Sequence, residues 1–593
     1  MRETIRKLAL ITRMTVRTDP WRSLSALLEP ISGGLQMLLG LWLKMIVDGA
    51  MSGNTSRIYF GAIAAALSLY LYWTGTLLGN GARIALSERV GFAFDHEIAR
   101  LTAEIPSIEH LERAEYVDQL QILRQNRGAL GGSLNSLLNA LNVFVNSITV
   151  IIALAAIDPR LLLLLCGALP AVIGSRLRLR WNKQGEDESA AAGRLTRHLS
   201  GLTVDPVAGM ELRVFRLRDE IRRRLQQSVR EWRAPVIRAT AKGASMKIAE
   251  DAGFGLVLSG VLGWLLVGAA NGAVTAGTIV LAVVISRQLQ GVVVGSVYQL
   301  THLADTLRSA GRMLWLIDHA TEAQASYAGT VEPPTRLRHG IHLENVSFSY
   351  SGADRPSLSD VTLDLPAGSV VALVGENGAG KTTLITLLAG LYRPTSGRIL
   401  IDGTDLADLD IEGWRERSSA AFQDHSKFEF TAQHAVGVGH LPARDDEPAV
   451  RRALTDASAD DVHAALPDGL ATQLGPTWEG GVDLSGGQWQ KLALGRAMMR
   501  RDPLLLVFDE PTSALDAPTE HALFERYTAA ARAATDRGAI TLLVTHRFST
   551  VRSADLIVVL EDGRVTEVGP HGDLVRTGRT YADLYEIQAQ GYR

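Results

Sequence analysis

At 593 residues the chain is too long for a single domain. An apolar fraction of 47% and a net charge of −3 leave open both a soluble enzyme and a membrane protein with a large soluble half, and no charged tail points to a nucleic-acid partner. The single cysteine, Cys166, lies in an apolar run, which excludes an intrachain disulfide framework and a thiolate metal cluster.

The first residues carry Arg2, Arg6, Lys7, Arg13 and Arg17 among Leu8, Ile11, Met14 and Val16. This reads as a basic amphipathic helix lying on the inner membrane surface, without the uninterrupted apolar core of a secretory signal. Apolar runs follow at 21–47 (broken by Glu29-Pro30 and Lys44), 58–79, 134–157, 161–175, 252–270, and from 278 past Val297. A helix needs ~20 apolar residues to cross a bilayer, and the pattern predicts six spans. Arginine-rich connections, including Arg222-Arg223-Arg224, place the segments at 83–132 and 176–250 on the cytoplasmic side. Their Glu, Arg, Leu and Ala content predicts that the membrane helices continue beyond the bilayer. A helical polytopic membrane domain is therefore expected over 1–319. A polar linker with Pro333-Pro334 follows over 320–339, and an α/β nucleotide-binding domain over 340–593. Its candidate strands are 342–349, 370–374, 504–508, 541–544 and 556–560.

The strand at 370–374 runs into Gly375-Glu376-Asn377-Gly378-Ala379-Gly380-Lys381-Thr382-Thr383 and then a helix-forming segment. This fits G-x-x-x-x-G-K-[ST] in its strand–loop–helix setting. Glycines let backbone N–H groups turn around a polyphosphate, Lys381 reaches the terminal phosphates, and Thr382 offers a hydroxyl to Mg²⁺. A second apolar strand ends in Asp509-Glu510. Asp509 is placed to hold Mg²⁺ or its water, and Glu510 to polarise an attacking water.

Between these two motifs stands Leu484-Ser485-Gly486-Gly487-Gln488, which resembles the signature of ATP-binding cassette (ABC) proteins. With six spans ahead of it, the whole chain resembles a half-transporter of the ABC exporter type. The resemblance implies that Tyr350 stacks on adenine, that Gln423 contacts Mg²⁺ and senses the membrane domain, that Asp516 belongs to the Ser513-Ala514-Leu515-Asp516 D-loop, and that His546 contacts the γ-phosphate. It also implies that two nucleotide-binding domains close head to tail on two ATP molecules. Each site then joins Lys381, Thr382, Gln423, Asp509, Glu510 and His546 of one domain to Ser485 and Gly487 of the other, with Glu510 as general base. Coupling helices are expected near 113–120 and 215–220. Trp489 stands where the family often has Arg, and altered local packing is the expected result. The implied activity is ATP-driven export of a drug-like compound, lipid or peptide across the cytoplasmic membrane by a dimer, a homodimer in preference to a heterodimer. Import on the same fold and an ATP-gated channel or signalling protein are the rival readings.

Asn135, Asn139, Asn142 and Asn146 fall on one face of the third span, where lining a polar cavity and bonding between helices both fit. Arg287, near mid-bilayer, is expected to pair with Glu29, in preference to the alternative of binding an anionic group directly.

Overall fold

The apolar runs of the first half are helices. The computed structural model describes residues 2–125, 127–157, 162, 164–510, 538–545 and 551–591. They cluster into one unit of Met1–Arg100 with Gln119–Ile317 and another of Leu101–Asp118 with Asp318–Arg593.

In the first unit, α1 (Arg2–Thr18) buries Ile11 and Thr15 and leaves its arginines outward. The first predicted span is segmented into a short helix, Pro20–Ser25, then α2 (Leu28–Met37) and α3 (Leu39–Met51). There follow α4 (Thr55–Glu104), α5 (Ser133–Ile157), α6 (Leu164–Val204), α7 (Arg218–Ala270) and α8 (Ala276–Ser326). Helices α4, α7 and α8 hold 50, 53 and 51 residues. At ~1.5 Å per residue each is roughly 75 Å long, more than twice the bilayer core, so they do run on as their composition requires. Among the described residues four stretches are long and apolar enough to cross a membrane: Pro20–Met51, Thr55–Glu104, Ser133–Ile152 and Arg218–Ala270. A shorter apolar helix lies at Ala276–Ser286. Tyr59, Phe60, Ile63, Tyr70, Trp73 and Leu77 of α4 are all exposed, a surface that lipid and not water would solvate.

Polar groups in this unit bond to one another. Glu29 pairs with Arg83 of α4. Arg287, its expected partner, lies on α8, and its side chain falls outside the described residues. Glu29 and Arg83 are 54 residues apart in sequence, and the α2-to-α4 hairpin brings them opposite each other. Arg83 is buried, donates Nε to Asn135 Oδ1 at 3.0 Å and donates Nη2 to Asn139 Oδ1 at 2.6 Å. These two asparagines therefore bond between helices, and Asn146 donates to Asn142 Oδ1 at 2.7 Å. A Cβ on Gly79 would lie 2.8 Å from the Glu29 amide nitrogen, so that glycine makes room for the pair. A second pair, Arg178 of α6 with the buried Glu250 of α7, has its own glycine: a Cβ on Gly174 would collide with the Glu250 carboxylate.

In the second unit, β2 (Leu358–Pro366), β1 (Gly340–Phe348), β4 (Ser396–Ile401) and β5 (Thr404–Asp405) form an antiparallel sheet in that order. A six-stranded sheet has the order β10-β9-β3-β8-β7-β6, from β3 (Val370–Val374), β6 (Ser418–Ala421), β7 (Leu505–Asp509), β8 (Ile540–Val544), β9 (Leu556–Glu561) and β10 (Arg564–Gly569). It is parallel except at the β10 edge. Every residue of β3, β7 and β8 is buried, which is why these strands read as continuous apolar runs. Val544 pairs with both Leu373 and Asp509, so the carboxyl ends of β3, β8 and β7 are level. In such sheets ligands bind at that edge.

The expected linker is partly helix. Residues 321–326 contain neither Gly nor Pro, and α8 continues to Ser326. Beyond it, Val331 donates its N–H to Asp408 O at 3.0 Å and accepts from Asp410 N at 2.8 Å. The Leu101–Asp118 segment packs in this unit through a short helix, Glu109–Glu112. Ile108 N bonds Leu391 O at 3.4 Å, Tyr392 OH donates to Glu112, and Arg415 donates to Pro106 O. The contact thus falls at 106–112, ahead of the expected 113–120. Around the other expected position, Phe215 caps the helix Pro206–Val214 and is exposed.

Candidate nucleotide-binding site

The loop after β3 bends through Gly378 and Gly380, whose φ of 85° and 100° lie in the left-handed region. A Cβ on Gly380 would sit 2.7 Å from Ser357 O, and one on Gly375 would collide with the Leu560 carbonyl. Only glycine allows this close approach. The loop opens on α9 (Lys381–Leu388), whose unpaired N–H groups and dipole favour an anion. Glu376 and Asn377 are exposed at the loop tip, while Ala379 and Thr383 are buried beneath it.

Lys381 is buried and folds back over the loop, its Nζ donating to Gly375 O at 2.8 Å and to Glu376 O at 3.0 Å. Burial lowers its pKa, opposed by the charges of Glu510 and Asp509. Asp509, at the end of β7, is 3% exposed, and its Oδ2 lies 3.5 Å from Thr382 Oγ1. Burial, reinforced by Glu510, raises its pKa. Glu510 has φ of 47°, an uncommon conformation for a residue with a side chain, held by its N–H to Val544 O at 2.9 Å. Tyr350 lies edge-on to Phe348 and Tyr392, and its OH is 3.2 Å from Thr383 Oγ1. Tyr350, Asn377, Gly378, Gly380, Lys381, Thr382, Thr383, Gln423, Asp509 and Glu510 line one cleft of about 600 Å³.

Ser485, Gly486, Gly487 and Gln488 stand apart from that cleft at the start of α10 (Gly486–Ala497). There the Ser485 and Gln488 side chains form a capping box with bonds of 3.3 and 2.9 Å. Ser485 and Gly486 are exposed. Asp516 and His546 lie outside the described residues. Trp489 is 2% exposed within the core, and its Nε1 has no hydrogen-bond partner among the described residues.

The cleft suits a polyphosphate with a divalent cation. A buried ammonium and a helix N-terminus meet the anion. A hydroxyl and a carboxylate, with the Gln423 amide in the same cleft, make a hard oxygen donor set of the kind Mg²⁺ takes. Reasoning from sequence missed Ser357, which also lines the cleft, and the left-handed backbone of Glu510. A single serine ahead of β2 carries no motif.

Residues 358–513 match the ABC transporter family. The chain is 39% identical over 298 residues to an ATP-dependent lipid A-core flippase of Burkholderia orbicola, covering 49% of this chain and 48% of that protein. It is 42% identical over 254 residues to the ATP-dependent lipid A-core flippase of Ralstonia nicotianae, covering 43% and 41%. The matches thus span about half the length of these relatives or less. A bacterial Atm1-family ABC exporter solved with ATP bound superposes over 96% of this chain and 98% of its own, with a TM-score of 0.74 and 26% identity. The chain therefore has the ABC exporter fold, with an ABC nucleotide-binding domain after its helical membrane part.

Proposed function

We infer that this chain is a half-transporter of the ABC exporter type, and propose that it hydrolyses ATP to move an amphipathic molecule, foremost a lipid, outward across the cytoplasmic membrane. The observation that carries this reading is the convergence of Lys381, Thr382, Asp509 and Glu510 on one cleft, in a chain whose first half is a bundle of lipid-suited helices. The flippase relatives support lipid as the cargo.

Tyr350 leaves Thr383 to stack on the base, and the loop amides and Lys381 hold the phosphates. Thr382, Asp509 and Gln423 would hold Mg²⁺, which when bound supplies neutralisation of phosphate charge. Glu510 accepts a proton from the water that attacks the γ-phosphate, while Lys381 offsets the charge that develops there. Ser485 and Gly487, apart from this cleft, complete the cleft of a second identical chain, and Asp516 and His546 act at the same closure. Closure with ATP and release after hydrolysis bias the membrane helices between two openings. The membrane part ends at the linker over 320–339, with the nucleotide-binding domain on the cytoplasmic side.

Reconstitution in lipid vesicles with a fluorescent lipid tests the proposal. ATP-dependent loss of the probe from the leaflet that carries the nucleotide-binding domain, absent in Lys381→Met, is the expected result. ATP turnover with no lipid movement would overturn the lipid reading.

A further inference from the structure

Gln423 sits in a segment held at both ends from the end of one helix and the turn that follows it. Upstream, β6 ends two residues before it; downstream, Ser426 to Phe430 lead into a helix at Ala432–Gly437. Arg496 stands in the last turn of α10, and Arg500 lies three residues beyond its end, after a turn at Met498 and Met499.

Arg496 grips the downstream side. Its Nε donates to Ala435 O at 3.0 Å, and its Nη1 and Nη2 donate to Ser426 O at 3.4 and 3.3 Å. Its guanidinium lies 4.3 Å from the centroid of Phe428, which stacks on Phe430 at 5.6 Å and 7°. Arg500 grips the upstream side, donating Nη1 to Ser418 O at 2.5 Å and to Arg415 O, while its Nε reaches Gly439 O, beyond the downstream helix, at 3.1 Å. Between them the Ser419 hydroxyl donates to Ala497 O at 2.7 Å. Arg496 has carbonyls and a ring as its partners, and burial lowers its pKa to about 10. Burying a cation against neutral groups is costly. What the planar fork provides in return is fixed geometry at several carbonyls, which an ammonium cannot supply.

We propose that Arg496 and Arg500 are positioning residues for Gln423, a two-point clamp through which the end of α10 and the turn after it hold the glutamine segment at both ends. Because Ser485 caps the other end of α10, a displacement of that helix is passed to Gln423. This reading rests on the proposed ATPase, in which Ser485 meets the nucleotide of the second chain and Gln423 the metal of its own.

The test uses the full chain in lipid nanodiscs and two readouts. The first is hydrogen exchange at the amides of 424–430 without nucleotide. The second is ATP turnover resolved into kcat and KM. Arg496→Lys keeps the charge and loses the fork. It is expected to speed exchange at 424–430 by roughly tenfold and to lower kcat by roughly tenfold, with KM for ATP within about twofold. Phe428→Leu leaves the guanidinium in place and is expected to act in the same direction with a smaller effect, which guards against a folding defect in the arginine variant. Unchanged exchange at 424–430 in Arg496→Lys would overturn the clamp, as would a KM that rises in proportion to the loss of kcat. A parent chain without ATP turnover would count against the proposed function, and the exchange readout would still decide the clamp.

Discussion

The two units handle buried charge in opposite ways. In the membrane unit, Glu29 meets Arg83, whose further donors go to asparagines, and Glu250 meets Arg178; Gly79 makes room for the Glu29 backbone and Gly174 for the Glu250 carboxylate. In the nucleotide unit, Lys381 spends its donors on backbone carbonyls, and Asp509 and Glu510 stand side by side at a strand end. A neutralised pair is an architectural element. An ammonium near two adjacent carboxylates and a helix N-terminus is a site waiting for a charged ligand. The difference teaches that the polar groups of the membrane half described here fasten helices, while those of the second half are arranged for chemistry.

The comparison predicts contrasting responses to substitution. Lys381→Met should leave the fold intact, with an unchanged thermal midpoint, while lowering ATP turnover by about a thousandfold. Arg83→Met should do the reverse. Removing one partner of a buried pair costs about 3 kcal/mol, read as a lowered unfolding midpoint in nanodiscs, and the Glu29→Gln/Arg83→Met double variant should recover much of the loss. A double variant no better than Arg83→Met would break the claim that this pair is architectural. Gly174→Ala should cost about 2 kcal/mol by displacing the Glu250 carboxylate, with ATP affinity of the nucleotide unit unchanged. Trp489→Phe removes a buried N–H that has no acceptor among the described residues, and stability should change by less than about 1 kcal/mol. A large loss there would mean the indole has a role beyond filling the core.

Much of the nucleotide unit was legible because fully buried parallel strands are continuous apolar runs, as in β3, β7, β8 and β9. Strand β6, Ser-Ser-Ala-Ala, was invisible because small residues carry no strand preference, and only its pairing with β7 defines it. The juxtaposition of Lys381, Thr382 and Asp509 was legible from motif spacing. The Arg496 and Arg500 contacts were not, because a side chain that binds backbone carbonyls leaves no complementary residue type to find. In the membrane half, the helices were readable from apolar length, but the pairing of Glu29 with Arg83 was not. Depth along a helix is visible in sequence, whereas the facing of two helices depends on how a hairpin closes.

The central claim is that the cleft turns over ATP through Glu510 in a dimer of this chain. ATP hydrolysis by the chain expressed alone in lipid nanodiscs, beside Glu510→Gln, tests it most directly. The account predicts steady turnover in particles whose mass corresponds to two chains, reduced at least about a hundredfold by the substitution while ATP binding persists. Equal turnover in the Glu510→Gln variant, or none in a folded, membrane-inserted parent chain that binds ATP, would contradict it.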